Sequence, residues 1–393
     1  MSEEKESNRL LAILGGAHSL NHSLFVIAPP LLLMIMADLG ITDYARMGVV
    51  ATIASFIYGA GSLIGGPLGD KIGERKTITI FLILSGASTF LMLVASNIAI
   101  YGLVLALVAI WASLYHPTSN SLLSKTFREG TGEAMGLHGM GGTLGVMLTP
   151  AVAYLIGAST NWRFSFIFFG ILCLILALFL VRKSKASEEK ITQVLRFREV
   201  LNIPQLWIIL VFNIAIGLFM KGVELFLPTY LTSVKGFDPF WASIAFTVLL
   251  ASGVLAQWLG GRTSDSIGCK KVLILTSFGV VLSLLLLQFL STPILSVALF
   301  VVIYGFSFYA HQPALNSLTG LLSPEWLRGT IYGIFFFTSF GIGSISQSIA
   351  GYFADIYGIE SAFLVLTGFA IAALALSLAI PDIRKRNKTT RND

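Results

Sequence analysis

Three histidines lie in apolar stretches of the chain at spacings that could support proton or metal chemistry. His18 and His22 are four residues apart, with Asn21 beside them, and His116 directly precedes Pro117. Side chains four residues apart share one face of a helix, and imidazole titrates close to neutral pH. We therefore expect His18, Asn21, His22 and His116 to line a polar cavity in which the imidazoles can carry protons.

The His18–His22 spacing is also that of paired metal ligands on a helix, with His116 as a third donor. A metal-dependent intramembrane enzyme is therefore the remote alternative. The chain has two cysteines and no cluster of carboxylates beside these histidines in the sequence. We accordingly expect no bound metal, no cofactor and no disulfide framework. His138 is expected close to the cytoplasmic surface, in a structural role.

Lys221 and Glu224 form a second titratable group in a later apolar stretch. They are one helical turn apart and can pair on one face, although ionisable residues inside a membrane span are costly and usually functional. One interpretation is a neutralised structural pair, or a lysine that extends to the membrane interface. The interpretation we favour places Lys221 in a central cavity facing an anionic substrate, with Glu224 as its partner or as a proton acceptor.

Prolines are expected to bend three of the apolar stretches. Pro117 and Pro313 each remove the hydrogen bond to the carbonyl four residues earlier, that of Ser113 or Tyr309, and a helix bends at such a position. Pro29-Pro30 is expected to bend the first apolar stretch in the same way. We expect the freed carbonyls to line the cavity together with four polar side chains near the prolines: Asn120, His311, Gln312 and Asn316.

Two of these patterns occur twice along the chain. A charged elbow at 65–76 returns 195 residues later, and the stretch that begins at Pro117 returns after 196 residues. The elbow repeat pairs Gly66, Asp70, Gly73 and Lys76 with Gly261, Asp265, Gly268 and Lys271. Two independent matches at half the chain length indicate an internal duplication. We therefore expect two homologous halves.

The composition places these residues in a membrane protein. Of 393 residues, 55% are hydrophobic and 12% are charged, which is too apolar for an ordinary soluble chain. Twelve segments are long and apolar enough to span a bilayer. Their predicted ranges are 10–36, 45–69, 76–96, 98–123, 134–158, 162–181, 205–231, 240–261, 271–290, 293–321, 328–353 and 359–380. The sequence thus predicts an all-α polytopic protein of the cell membrane.

The longest polar stretch divides these segments into six and six. We expect an N-terminal half at 1–181, a cytoplasmic linker at 182–204 and a C-terminal half at 205–393. The termini and the loops on their side carry 22 Lys and Arg residues, against three on the other side. The positive-inside rule therefore predicts cytoplasmic termini. This asymmetry explains the net charge of +6, so we expect a lipid bilayer and a small molecule as partners and no nucleic acid.

The elbow sequence, Gly-Gly-Pro-Leu-Gly-Asp-Lys-Ile-Gly-Glu-Arg-Lys, resembles the loop between helices two and three of the major facilitator superfamily of secondary transporters. The second copy keeps the Asp, Gly and Lys but lacks counterparts of Pro67 and Gly69. The resemblance implies a monomer that works by alternating access, with Asp70 contacting the opposite half and the following cations contacting the cytoplasmic rim. It assigns gating to Gly66, Gly69, Asp70, Gly73, Arg75, Lys76, Asp265 and Gly268.

Two shorter patterns are similar to those of the fosmidomycin-resistance-like exporters within that superfamily. That branch carries His-x-x-Asn-Asp in helix one and His-Pro-Glu in helix four. This chain has His-Ser-Leu-Asn-His from position 18 and His-Pro-Thr from position 116, and Lys221 is also similar. Because His22 and Thr118 replace the acidic residues, coupling to protons would fall to Glu224 or to a histidine.

Small residues form a stripe on the fifth segment: Gly139, Gly141, Gly142 and Gly145, followed by Thr149-Pro150. Such a stripe allows tight helix packing in lipid. It also partly resembles a glycine–proline motif of superfamily exporters.

These features together predict a secondary active transporter rather than an enzyme. The favoured function is export of a toxic compound or metabolite by alternating access, coupled to a proton gradient. The sequence contains no Gly-x-x-x-x-Gly-Lys-Ser/Thr run of the kind that binds ATP. The alternative is proton-coupled uptake of a small organic anion, for which Lys221 would supply the positive charge.

Overall fold

The computed structural model describes residues 2–127, 131–181, 199–200, 202–324 and 328–382, and their regular structure is helical throughout. The helices before the linker are α1 (Ser2–Val26), α2 (Ala28–Asp38), α3 (Tyr44–Ile72), α4 (Glu74–Thr89), α5 (Ile98–Ala112), α6 (Tyr115–Thr126), α7 (Thr131–Ser159) and α8 (Trp162–Val181), with a 3-10 segment at Phe90–Val94. Those after it are α9 (Pro204–Ser233), α10 (Pro239–Ala251), α11 (Gly253–Ile267), α12 (Cys269–Phe289), α13 (Pro293–Leu322), α14 (Arg328–Phe336), α15 (Ile345–Tyr357) and α16 (Ile359–Ala379), with a π-helical segment at Phe337–Ile342.

The helices form twelve spans that are long and apolar enough to cross a membrane, as the sequence predicted. Four spans contain two helices each: α1 with α2, α5 with α6, α10 with α11, and α14 with α15. The fourth span, Ile98–Leu123, has the predicted bounds, whereas the first begins at Lys5 and the eighth ends at Ile267, beyond their predicted limits. Most of the linker at 182–204 lies outside the described residues, so the bounds of the two halves stay a prediction.

The prolines affect their helices differently. The first span breaks at Ile27, between α1 and α2, directly before Pro29-Pro30, as predicted. The fourth span breaks at Ser113 and Leu114, just ahead of Pro117. In contrast, α13 remains helical from Pro293 to Leu322 and passes through Pro313 without a break. Equivalent interruptions were expected at Pro117 and Pro313, but only the span that contains Pro117 is interrupted.

The two elbows have the same backbone geometry. Gly73 separates α3 from α4 with φ of 96°, and Gly268 separates α11 from α12 with φ of 97°. Residues with a side chain rarely adopt this left-handed conformation, which explains why glycine occupies both positions. The equivalence supports the duplication read from the sequence.

Each elbow packs against the proline motif of its own half. The Thr118 hydroxyl donates to the Gly65 carbonyl at 3.0 Å, and a β-carbon added to Gly261 would lie 3.7 Å from Cβ of Pro313. The two sequence repeats are therefore structural partners, which explains why they recur with almost the same offset.

The halves meet at the end of the bundle away from the elbows. The backbone amides of Tyr44 and Ala45 donate to the two carboxylate oxygens of Asp355, at 2.7 and 2.9 Å. Thr52 donates to the Ser344 carbonyl at 2.8 Å, and a β-carbon on Gly59 would lie 2.7 Å from the Gly341 amide nitrogen. All these contacts use α3 from Tyr44 to Gly59, and at 1.5 Å per residue Tyr44 is roughly 40 Å from the elbow.

Candidate functional site

Four histidines from three spans meet in the first half, and we call them the histidine cluster: His18, His22, His116 and His138. The Nε2 atoms of His18 and His22 are 3.1 Å apart. The His116 ring lies 5.0 Å from each of those rings, centroid to centroid, and His138 stacks on His18 at 4.2 Å. His116 lies in the first turn of α6, directly after the helix break.

Hydrogen bonds fix which ring nitrogens carry protons. Tyr115 donates its hydroxyl hydrogen to the Leu14 carbonyl at 2.6 Å, so the Nε2–H of His138 must donate to the Tyr115 oxygen at 2.8 Å. The His18 Nδ1–H donates to the His138 carbonyl at 2.8 Å, which leaves His18 Nε2 as an acceptor. His22 therefore donates to it through Nε2–H.

The depth expected for His138, close to the cytoplasmic surface, stays a prediction; its side chain is buried within the cluster, with 3% of the residue exposed. It lies on the face of α7 that continues through Gly142 and Gly145. A β-carbon at Gly142 would lie 2.6 Å from the His18 ring, so the glycine stripe makes room for that ring. The spacing from His138 to Gly142 was the sequence signal that could have placed His138 here.

Asn21 forms hydrogen bonds next to the break between α5 and α6. Its Nδ2 donates to the Ala112 carbonyl at 2.8 Å, and its Oδ1 accepts from Tyr58 at 2.6 Å. The residue is fully buried. Pro117 was expected to free the carbonyl of Ser113. The carbonyl that accepts the Asn21 side chain is instead that of Ala112, one residue earlier. The Tyr58 ring in turn contacts Phe336 and Phe340 of the second half, so it connects the cluster to the interface.

Lys221 and Glu224 lie at the interface on α9. Their Nζ and Oε2 atoms are 2.7 Å apart, and the side chains are 6% and 21% exposed. The Lys221 ammonium also lies 4.4 Å from the centre of the Phe340 ring, in the π-helical segment. Such a contact stabilises a cation when solvent is excluded. The pair predicted from the sequence is therefore formed, and an aromatic ring covers it.

The ion pair lines a cavity of about 50 Å³ between the halves. Its walls include Phe25, Met47, Ala51 and Gln347 as well as both charged residues. This volume has room for a few water molecules, so a water could reach Glu224. Gln347 Oε1 is buried without a hydrogen-bond partner among the described residues.

The predicted polar residues of the second half do not join the histidine cluster. Gln312 accepts from Gln257 at 3.2 Å, within its own half. His311 is buried, bonds through Nδ1 to the Phe308 carbonyl and packs on the Phe308 ring at 5.1 Å. Asn316 is exposed, as is Asn120 in the first half. The residues predicted to line one cavity therefore do not all lie together: His18, His22 and His116 are in the cluster, and the polar residues near Pro313 are not.

The elbow residues assigned to gating lie at the opposite end from the interface contacts. Glu74 is buried, accepts from Ser121 at 3.0 Å and pairs with Lys125, which ties the first elbow to α6. Asp265 is exposed. The side chain of Asp70 lies outside the described residues, so its contact with the opposite half stays a prediction.

Comparison with known proteins gives a consistent result. The model of the Major Facilitator Superfamily matches residues 11–348. Multidrug resistance protein MdtG of Escherichia coli O9:H4 (strain HS) is 26% identical over 365 residues, 88% of each chain. The "Probable sulfoacetate transporter SauU" of Cupriavidus necator is 24% identical over 255 residues, 60% of this chain and 59% of that protein.

Solved structures show the same fold. A point mutant of the nucleoside transporter NupG superposes with a TM-score of 0.80 at 16% identity and covers 94% of this chain and 99% of its own. A bacterial homologue of the lysosomal transporter Spinster, in an inward-facing and occupied conformation, gives 0.77 at 17% identity, with 95% and 96% covered. The family match over residues 11–348 identifies the chain as a transporter rather than an enzyme. The chain is a multi-pass membrane transporter of the major facilitator superfamily.

Proposed function

We propose that this transporter exports small organic molecules in exchange for protons. Its resemblance to MdtG runs along 88% of both chains, and the name of that protein is multidrug resistance. The cavity between the halves is lined mainly by apolar side chains with a single ion pair. An apolar lining with few polar groups is typical of sites for small organic molecules, which occupy roughly 300–1,000 Å³, so the cavity has to widen during transport to bind one.

The observation that carries the proposal is the Lys221–Glu224 pair at the interface. A proton taken up by Glu224 would leave the Lys221 ammonium unpaired in a place where it is 6% exposed. An unpaired buried charge costs roughly 3–5 kcal/mol, so protonation favours a rearrangement that returns Lys221 to solvent or to a new partner. This links proton uptake to movement between the halves.

The alternating movement would open the contacts at the end away from the elbows. That end is closed by the Asp355 hydrogen bonds and by the approach of Gly59 to Gly341. With cytoplasmic termini, the closed end faces outwards and the present state is inward-facing. Opening it requires the elbow end to close, where the residues from Gly66 to Lys76 and their second copy would act as the gate. One chain supplies both halves, so a monomer in the cell membrane suffices.

The test is transport by the purified protein in liposomes. A pH-sensitive dye inside the vesicles reports protons, and ethidium serves as a fluorescent organic probe. The parent should move protons against ethidium, and Glu224→Gln should lose proton movement while Lys221→Ala loses both. The matched control is Asp43→Asn, which breaks an exposed i, i+3 pair with Arg46 and should transport like the parent. Unchanged proton movement in Glu224→Gln would rule out this residue as the coupling group.

Uptake of a small organic anion is the second candidate, and Lys221 favours it. The relative SauU carries sulfoacetate in its name, and a buried ammonium is suited to bind such an anion. Counterflow of radiolabelled sulfoacetate into preloaded liposomes separates the two candidates. Uptake that requires Lys221, together with no movement of ethidium by the parent, would favour the anion. Ethidium movement without sulfoacetate counterflow would favour export.

A further inference from the structure

We propose that His18, His22 and His116 form a binding site for a divalent transition-metal ion such as Zn²⁺. One ring nitrogen of each residue lies within 4.8 Å of the others. The site is independent of the direction of transport and of its coupling to protons. It differs from the Lys221–Glu224 pair in both residues and chemistry.

The first reason is the distance between two donors. The Nε2 atoms of His18 and His22 are 3.1 Å apart. Two ligands of a tetrahedral zinc ion, each about 2.0–2.1 Å from the metal, are separated by about 3.3 Å. These two rings therefore already have nearly the separation that the metal requires, and α1 holds them one turn apart.

The second reason is the orientation of His18. Its Nδ1–H donates to the His138 carbonyl, so Nε2 carries the lone pair, 3.1 Å from Nε2 of His22. A histidine that binds a metal almost always donates its second ring hydrogen in this way, often to a backbone carbonyl. The bond fixes the tautomer that coordination needs. His22 must in addition change its tautomer, with its proton moving from Nε2 to Nδ1.

The third reason is His116, whose Nε2 is buried without a hydrogen-bond partner among the described residues. A buried polar atom left unpaired costs free energy, and coordination would remove that cost. The three residues each keep part of their surface exposed, but His116 Nε2 itself is buried, so this ring has to turn before an ion can reach it. The His116 ring would have to approach the other two to complete the site.

The donor set selects the class of ion. Three neutral imidazoles without a carboxylate suit zinc, copper, nickel or cobalt, whereas magnesium and calcium prefer oxygen ligands. Three histidines leave the fourth position of a tetrahedral ion open for water or for a donor atom of a bound molecule. The positive charge of Lys221 does not exclude the ion, because Glu224 neutralises it at 2.7 Å.

The test uses the full chain in detergent, freed of any polyhistidine tag. Titration with Zn²⁺ against a competing chelator should give one site per chain, and Co²⁺ should give visible absorption bands typical of tetrahedral coordination. His22→Gln and His116→Gln should each weaken binding at least tenfold and abolish the cobalt bands. The matched control is His311→Gln, which removes the buried histidine of the second half and should leave binding unchanged.

Elution volume in size-exclusion chromatography and thermal unfolding show whether each variant is folded. If His116→Gln does not fold, His22→Gln decides the result. Binding of one Zn²⁺ ion by His22→Gln with the affinity of the parent would overturn the proposal. An equal loss in His311→Gln, or no stoichiometric binding by the parent, would overturn it as well.

Discussion

The two proline motifs have equivalent positions in the repeat but different surroundings. In the first half, the helix breaks before His116 and the ring joins three other imidazoles. In the second half, α13 continues through Pro313, and His311 packs on Phe308, which stacks on Tyr304. The residues that the halves share build the elbow and its packing. The residues that differ form the histidine cluster in one half and the Lys221–Glu224 ion pair in the other.

The largest effect is expected from separating the charges of the second half. Glu224→Gln leaves Lys221 unpaired, and we expect a loss of about 3 kcal/mol in stability, near the lower limit for breaking a buried pair. The double variant Lys221→Met with Glu224→Gln should recover most of that stability without recovering proton movement. Thermal unfolding in detergent measures the stability, and the liposome assay measures the proton movement. A single variant as stable as the parent would mean that the pair is not effectively buried.

The glycine stripe gives a test of the first half. Gly142→Ala brings a β-carbon to 2.6 Å from the His18 ring, and overpacking of this kind costs about 1–3 kcal/mol. Gly139→Ala is the matched control, because nothing lies within 4 Å of its added carbon. We expect the first variant to lower the unfolding temperature and the control to leave it unchanged or higher. Equal behaviour of the two would show that α1 and α7 can separate freely.

Buried asparagines allow a comparison across the halves. Asn21→Ala leaves the Ala112 carbonyl and the Tyr58 hydroxyl without their partner, and we expect a cost of about 2 kcal/mol. Asn213 donates to the Phe335 carbonyl at 2.7 Å, but Thr338 also donates to that oxygen at 3.0 Å. Asn213→Ala should therefore cost less than Asn21→Ala in thermal unfolding. A larger loss of stability in Asn213→Ala would indicate that Asn213 stabilises the π-helical segment more than Asn21 stabilises the break between α5 and α6.

The smallest effect is expected at the contact between the halves. Asp355→Asn keeps one acceptor for the amides of Tyr44 and Ala45, so we expect it to weaken the closed end by about 1 kcal/mol or less, the scale of a helix cap. That change corresponds to a shift of up to about fivefold in the equilibrium between open and closed ends. Pulsed spin-label distances across that end measure it. Asp43→Asn, at an exposed pair, should not shift the distances.

The sequence predicted the number of spans and most of their limits because apolar length alone determines whether a helix can cross a membrane. It also predicted the positions of the elbow, the break at Pro29-Pro30 and the pairing of Lys221 with Glu224. These features depend on residues that are close together in the chain. Local spacing is sufficient for each of them.

The sequence did not predict which distant polar residues share a site. Asn120 and Asn316 are exposed, Gln312 pairs with Gln257, and His138 stacks on His18. These outcomes depend on the rotation of each helix about its axis. That rotation is set by close packing of neighbouring helices, as between Gly142 and His18. It cannot be derived from the spacing of residues along a single helix.

The bond between Asp355 and the start of α3 has a consequence for how this chain can vary. The donors are backbone amides, which every residue except proline possesses. Substitutions at Tyr44 and Ala45 can therefore accumulate without loss of the bond, while the acceptor position tolerates few replacements. Among related sequences, selection on this contact would appear as a single constrained acidic residue with no covarying partner. A search for correlated pairs would miss it.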